Sequence, residues 1–372
     1  MRKLSKSVVF AALAALSLPM AVQAATDTAN QAQWSRADSQ DHDRADHHYR
    51  LKVALWGDEF YADDPVVKAA QIDQTINSMN AHDVDFTIFA GDTKNGHSLC
   101  TDEAIGQDVI DIFNRLDAPS MYTLGDNEWT DCHRTNNGSY DPLERLAYLR
   151  TLFFSKNTTQ GLDPIKVERQ GELGQAYSEN SRFVKDNVEF VALNVIGSNN
   201  NLVATDKQCT KKSDRSQADC DAATAEYKAR NVKNIEWLKD SFAKARQKHY
   251  AGILIAIQAD MFGGIDVADG NYADIFLGTL DPAVNGYADF FHELIAQTQS
   301  FDGQVLLVHG DSHYFRIDKP MVIVDPNSPS AGQTQMNFTR VEVFGSSDNS
   351  WVEMTVDPTT KNVFNFKQVD LQ

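Results

Sequence analysis

Short apolar runs rich in β-branched and aromatic residues recur along the chain, each closed by glycine or polar residues. They occupy residues 51–57, 84–91, 120–125, 252–257 and 305–309, and this is the signature of buried strands. Between them, apolar positions fall at helical spacing over 65–79, 104–116, 142–154, 222–248 and 283–298. The repeated order of strand, loop and helix predicts an α/β layered domain with its functional loops at the carboxyl ends of strands. Further strand-like runs lie at 188–195, 338–344, 351–356 and 363–366. The last three crowd together, which suits antiparallel hairpins and makes the sheets mixed. The stretch 199–221 is poor in aliphatic residues and reads as a long surface loop.

The beginning of the chain follows a different pattern. Arg2, Lys3 and Lys6 precede an apolar run at 8–18 and then Val22-Gln23-Ala24, so residues 1–24 are expected to be a signal peptide cleaved after Ala24. That run is shorter than the roughly 20 residues a bilayer span requires. The mature chain is therefore expected to be periplasmic or secreted, with no membrane span. Residues 25–49 are polar and almost free of aliphatic side chains, a composition expected to stay disordered. His42, His47 and His48 in that segment read as solvated bystanders. No Pro/Gly/Ser-rich linker divides residues 50–372, which read as a single domain.

Charge and cysteine content narrow the setting. The formal net charge is −18, and no basic patch evident in the sequence offsets it, so no nucleic-acid surface is expected. Four cysteines suit an oxidising compartment. Cys209 and Cys220 are local to each other, and Cys100 and Cys132 each follow a candidate loop. The favoured pairing is 100 with 132 and 209 with 220, although four cysteines admit other connectivities.

The candidate chemistry lies at the strand ends. Three strands end in WGDEF (56–60), AGDTKNG (90–96) and LGDNEW (124–129), a fourth in IQAD (257–260) and a fifth in VHGDSHYF (308–315). In each Gly-Asp pair, glycine lets the chain turn sharply and bring a carboxylate to the strand tip. A single such pair is an ordinary turn or helix cap; five polar strand ends in order call for a shared explanation. Carboxylates converging on one edge can hold two cations about 3.5 to 4 Å apart, the arrangement that clamps a displacement at phosphorus.

The ordered set resembles the calcineurin-like metallophosphoesterases, whose motifs run D-x-H, G-D-x-x-D, G-N-H-E/D, a lone His after a strand, and G-H-x-H. Asp58 matches the first Asp, Gly91 and Asp92 the second motif, Gly125 and Glu128 the flanks of the third, and Gly310 and His313 the fifth. The resemblance implies a layered α-β-β-α sandwich with mixed sheets. It also implies one metal held by Asp58, Asp92 and His313 and a second by Asp92, Asp126, Asp311 and Gln258, with Asp92 bridging. The departures are specific. Phe60, Asn95 and Gln258 stand where the family places His, Asp and His, while Asp126, Asn127 and Asp311 replace Asn, His and His. Two of these changes put a carboxylate at a ligand position, so the second site offers oxygen alone and favours Mn, Mg or Ca. The first site, with its one imidazole, can also take Fe or Zn.

Just beyond the third motif, Arg134 is a candidate clamp for phosphate oxygens and His133 a candidate acid for the leaving oxygen, with Asn127 at the position of the missing motif His. Surface pairing of Asp131 with Arg134 and packing of Trp129 are the competing structural roles. The expected function is hydrolysis of a small phosphate mono- or diester by metal-activated water. The alternative is a catalytically degenerate binding or envelope-associated protein that retains the fold and a metal.

Overall fold

The computed structural model describes residues 50–262, 280–325, 327–346 and 348–371. The expected signal peptide and the polar segment 25–49 lie outside them. Two mixed sheets form the centre. One has the strand order β12-β11-β1-β2-β3, made of β1 (Leu51–Trp56), β2 (Phe86–Phe89), β3 (Ser120–Tyr122), β11 (Ser350–Val356) and β12 (Phe364–Asp370). The other has the order β4-β5-β6-β7-β8-β10-β9. Its strands are β4 (Glu168–Arg169), β5 (Ser181–Lys185), β6 (Val188–Ala192), β7 (Gly252–Ala256), β8 (Gln304–His309), β9 (Arg316–Asp318) and β10 (Phe338–Glu342).

Three apolar layers separate the elements, as an α-β-β-α sandwich requires. Leu51, Val53, Leu55, Ile88, Phe190, Leu254 and Leu306 fill the space between the sheets. Ala54, Trp56 and Phe89, alternating with that set along β1 and β2, pack outward on Ile76, Met79, Val109 and Leu146. These belong to or border α1 (Pro65–Ala81), α2 (Asp108–Phe113) and α3 (Pro142–Phe153). On the far side Ile253, Ile255 and Leu307 meet Trp237, Phe242 and Phe290 of α5 (Gln217–Lys248) and α6 (Ala288–Gln299). The period-2 alternation of strands β1, β7 and β8 thus serves two buried faces at once, which is why they read as continuous apolar runs.

Helix starts follow from local chemistry. Asp64 accepts from the Val66 and Val67 amides ahead of α1, and Asp141 caps α3, each with proline at the first helical position. Ser216 and Asp219 form a reciprocal capping box at the start of α5. The stretch read as a long loop is therefore shorter than expected. It contains α4 (Asp206–Thr210) and the first turns of α5, closed by the Cys209–Cys220 disulfide.

A second difference concerns the carboxyl-terminal strands. Only β11 and β12 form the expected antiparallel hairpin; β10 lies in the other sheet, parallel to β8 and antiparallel to β9. The buried alternation of β10 suited either sheet, and local crowding in sequence did not reveal its long-range partner. The other disulfide joins Cys100 to Cys132, so both favoured pairs are the ones formed. No helix among the described residues is long and apolar enough to cross a membrane.

Candidate metal centre

The parallel strands β1, β2 and β3 of one sheet and β6, β7, β8 and β10 of the other release their loops on the same edge, the usual place for a site in such sheets. Asp58, Asp92 and Asp126 are buried there. Asp58, Asp92, Asp311 and His313 all have positive φ, between 53° and 79°, a conformation that costs a non-glycine residue about 1 kcal/mol or more. Four strained positions at one edge mark a site held by its surroundings. The glycines make room for the carboxylates. A Cβ on Gly125 would collide with the Asp92 carboxylate and one on Gly310 with Asp58, while at Gly197 it would lie 2.7 Å from oxygens of both Asp126 and Asp311.

Hydrogen bonds tie the loops together. The Asn127 amide donates to Asp92 Oδ1 at 3.0 Å and its side-chain Nδ2 to Asp92 Oδ2 at 2.8 Å. The Asp311 amide donates to Asp58 Oδ2 at 3.0 Å, and His313 Nε2 lies 3.5 Å from Asp58 Oδ1. Glu128 Oε1 accepts from the amides of Asp92 and Gly125 and from the Tyr122 hydroxyl, at 3.0 to 3.1 Å. Glu128 thus locks the second and third loops in register without entering the edge itself. The expected ligands Asp58, Asp92, Asp126, Asp311 and His313 are brought together.

The electrostatics of this edge are one-sided. Burial, then the charges of Asp126, Glu128 and Asp58, push the Asp92 carboxyl well above its ordinary range. Burial and the Asp126 and Asp58 charges do the same to Asp311, and burial raises Asp126. The hydrogen bond to Asp58 raises His313. Among the described residues no arginine or lysine lies within ion-pair distance of Asp58, Asp92, Asp126 or Asp311. The buried Lys94 ammonium donates to the Asn95 carbonyl at 2.9 Å instead, and burial lowers its pKa against the opposing pull of Glu128 and Asp92. Four carboxylates and one imidazole with no paired cation are a donor set suited to divalent metal.

Three expected residues sit differently from a simple carry-over. Gln258 reaches the edge, but its oxygen accepts from the Gly197 amide at 2.6 Å. Its Nε2 faces Asp92 and Asp126 at 3.2 and 3.5 Å, so it holds carboxylates rather than presenting an oxygen. His133 lines cavities with Arg215 and Tyr140. Burial, then Arg215 and Arg134, lower it to about 3, which leaves it neutral and without a proton to give near pH 7. Arg134 lies at the rim, 2.5 Å from Asp131 and 3.2 Å from the Ser198 hydroxyl. Phe60 packs on Trp56 in the outer core, so the first motif supplies one ligand position.

The sequence reading missed a sixth loop. After β6, Gly197 enters the site and Ser198 to Asn201 follow with four consecutive positive φ values from 49° to 66°. Ser198 Oγ is 2.7 Å from both Asp126 Oδ2 and Asp131 Oδ1. The hydroxyl therefore bridges the two carboxyls. Burial and then the Asp126 charge raise Asp131 to about 7. The signal was present: a strand, a glycine and then Ser-Asn-Asn-Asn, residue types tolerant of left-handed backbone. Tyr61 is the other addition, its hydroxyl 3.4 Å from both Asp58 Oδ1 and Asn127 Nδ2 and its ring centroid 5.3 Å from that of His313.

A second group of possible metal-binding side chains lies beside this edge, where Asp260, His309 and Glu342 bring ligand atoms within 4.8 Å of one another. Here arginines are already interleaved. Arg316 Nε lies 2.7 Å from Glu342, and both Arg316 and Arg340 approach Asp260 at 4.0 Å.

No protein-family model matches the chain. No curated protein matches it. Among solved structures it is similar to GAP50, the anchor in the inner membrane complex of Plasmodium, at 11% identity over 87% of this chain and 89% of that one, with a TM-score of 0.41. It is also similar to a 5′-nucleotidase from Candida albicans, at 11% identity over 87% of this chain with a TM-score of 0.37, and spans 51% of that protein's length. TT1561 of Thermus thermophilus is similar at 9% identity over 87% of this chain and 100% of that one, with a TM-score of 0.38.

Proposed function

We propose that this chain is an exported, metal-dependent phosphoesterase acting on a small phosphate mono- or diester. The observation that supports it is the convergence of Asp58, Asp92, Asp126, Asp311 and His313 on one strand edge with no arginine or lysine paired to them among the described residues. Asp58, Asp92 and His313 would hold one divalent ion, and Asp92, Asp126 and Asp311 a second of oxygen-preferring type, Mn, Mg or Ca. Bound there, such ions supply Lewis-acid polarisation of a phosphoryl oxygen and a water made acidic enough to attack at neutral pH.

The protein's own groups have distinct tasks. Asn127 holds both oxygens of Asp92, and Gln258 spans Asp92 and Asp126, so the carboxylates are fixed before any substrate arrives. Arg134, anchored by Asp131 and Ser198, presents its guanidinium at the rim, where it can receive anionic phosphoryl oxygens. Asp131, raised to about 7 by burial and then the Asp126 charge, is linked to Asp126 through the Ser198 hydroxyl. That relay is placed to supply the proton that His133 does not. Export is supported by the two disulfides.

The test is hydrolysis of a panel of phosphate mono- and diesters by metal-stripped protein re-supplied with Mn²⁺, Mg²⁺, Ca²⁺, Fe²⁺ or Zn²⁺. Activity that appears with metal and disappears with chelator is the expected result. Stoichiometric metal binding without hydrolysis of any ester would favour the alternative of a non-catalytic metal-binding protein. Gln258 and Phe60 in place of nitrogen ligands are the features that point that way.

A further inference from the structure

Beside the carboxylate edge lies a cavity of about 240 Å³ whose wall has the opposite character. Arg134, Lys211 and Arg215 line it, together with Ser198, Asn201 and Gln208. The sequence reading found no basic patch, because these cations come from two distant segments. The segment carrying Lys211 and Arg215 is closed by the Cys209–Cys220 disulfide, and the Lys212 carbonyl accepts from the Thr135 amide at 2.8 Å. In a chain with a formal charge of −18, Arg134 is paired with Asp131, which also lines the cavity, and Lys211 and Arg215 are the two cations there without an ion pair. Arg215 donates to the carbonyls of Cys209 and Gln208, at 3.3 and 3.2 Å. Among the described residues no carboxylate lies within ion-pair distance of Lys211 or Arg215. Burial, and then Arg215 and Arg134, depress the neighbouring His133.

Two residues are common to the cavity and the edge. Ser198 lines the cavity and hydrogen-bonds Asp126 at 2.7 Å, and Arg134 bonds to Ser198. A ligand group in the cavity therefore lies next to one held at the carboxylates. We infer that this pocket is an anion subsite that selects phosphate esters carrying a second phosphate group, one phosphate meeting the carboxylate edge and the other meeting Lys211 and Arg215. The inference rests on the phosphoesterase reading for the first phosphate, and on the pocket's own residues for the second. Lysine and arginine around amide and hydroxyl donors are the usual recognition set for phosphate oxygens. A neutral leaving group would leave these cations unused.

The experiment compares adenosine 5′-monophosphate with adenosine 3′,5′-bisphosphate on the wild-type protein, on Lys211→Glu and on Lys211→Arg. Lys211 is exposed, so neither change threatens folding. Binding is measured by calorimetry on protein supplied with divalent metal, without which the four carboxylates repel the first phosphate, under conditions where turnover is negligible, and hydrolysis is followed separately. The bisphosphate is expected to bind wild type roughly tenfold more tightly than the monophosphate, with the preference lost in Lys211→Glu and kept in Lys211→Arg. Equal binding of the two nucleotides by wild type, or a preference indifferent to Lys211→Glu, overturns the subsite even if monoesters are hydrolysed. A charge-dependent preference in protein that hydrolyses neither nucleotide keeps the subsite and overturns the catalytic reading instead.

Discussion

Two acidic clusters lie side by side in this molecule, and they resolve the same physical problem in opposite ways. At the outer one, Asp260 and Glu342 face Arg316 and Arg340, and Arg340 is itself fixed to Asp318 at 2.5 and 2.8 Å. At the inner one, Asp58, Asp92, Asp126 and Asp311 face one another, an imidazole and amide donors. The outer cluster has arginines interleaved with its carboxylates; the inner one, among the described residues, has no arginine or lysine paired with its own. Carboxylate density alone therefore does not mark a cation site. What distinguishes the proposed cation site is density without a paired arginine or lysine, on strained backbone, at the open ends of parallel strands.

The sharpest way to break this comparison is to remove the carboxylate shared by both proposed ions. Asp92→Ala should lose metal and lower kcat by roughly a thousandfold or more, since neither ion set stays complete. Elemental analysis of purified protein together with ester hydrolysis checks it. Full metal content in the folded variant would remove Asp92 from the bridging role.

The outer cluster should answer to stability rather than to metal. Arg340 is fully buried, and Arg340→Met strips the countercharge from Asp318 and Asp260. A loss of about 3 kcal/mol is expected, because breaking a buried pair strands the remaining charge. Urea unfolding measures it, and metal stoichiometry should not change.

The pH response of metal-free protein tests the inner cluster. Asp92, Asp126 and Asp311 are raised above their ordinary values, and Asp131 to about 7. Raised carboxyls bind more protons folded than unfolded, so stability falls as pH climbs from about 4 through the folded values. Melting of the metal-free protein should drop by several degrees between about pH 5 and pH 8. Saturating Mn²⁺ should flatten or reverse that slope. A metal-free melting temperature constant over this range would mean that the inner charge is already compensated.

The smallest effect expected is one of preference. Asp311→His adds imidazole to an all-oxygen site and should raise Zn²⁺ affinity relative to Mn²⁺ by about tenfold, read by competitive binding. An unchanged ratio in folded protein would take Asp311 out of the ligand set.

The layers and five of the six site loops were legible because strand ends are local signals, four of them marked by a Gly-Asp pair and the fifth by the polar end of IQAD, each written in a few adjacent residues. The placement of β10 was not, since its buried face fits either sheet and only its pairing with β8 decides. Gln258 was correctly brought to the edge, but the direction of its amide depends on the Gly197 amide, 61 residues away. His133 follows a motif closely enough to suggest a role in catalysis; its surroundings are set by Arg215, from a segment with no sequence link to it. Local chemistry is readable from one stretch of chain, whereas side-chain orientation is settled by neighbours that arrive from elsewhere.

The Cys100–Cys132 bond leads from architecture to the order of maturation. It joins the segments that follow the second and third strand-end loops, and both sulfur atoms rest against the carbonyl oxygen of Asn127, at 3.6 and 3.7 Å. Asn127 is the residue that grips Asp92. Closing this bond removes chain freedom from the two loops that must agree on the position of one carboxylate, so ligand geometry is largely settled before a cation arrives. On the proposed metal reading, a reduced chain is expected to hold divalent ions more weakly than the oxidised one, its second and third loops being uncoupled.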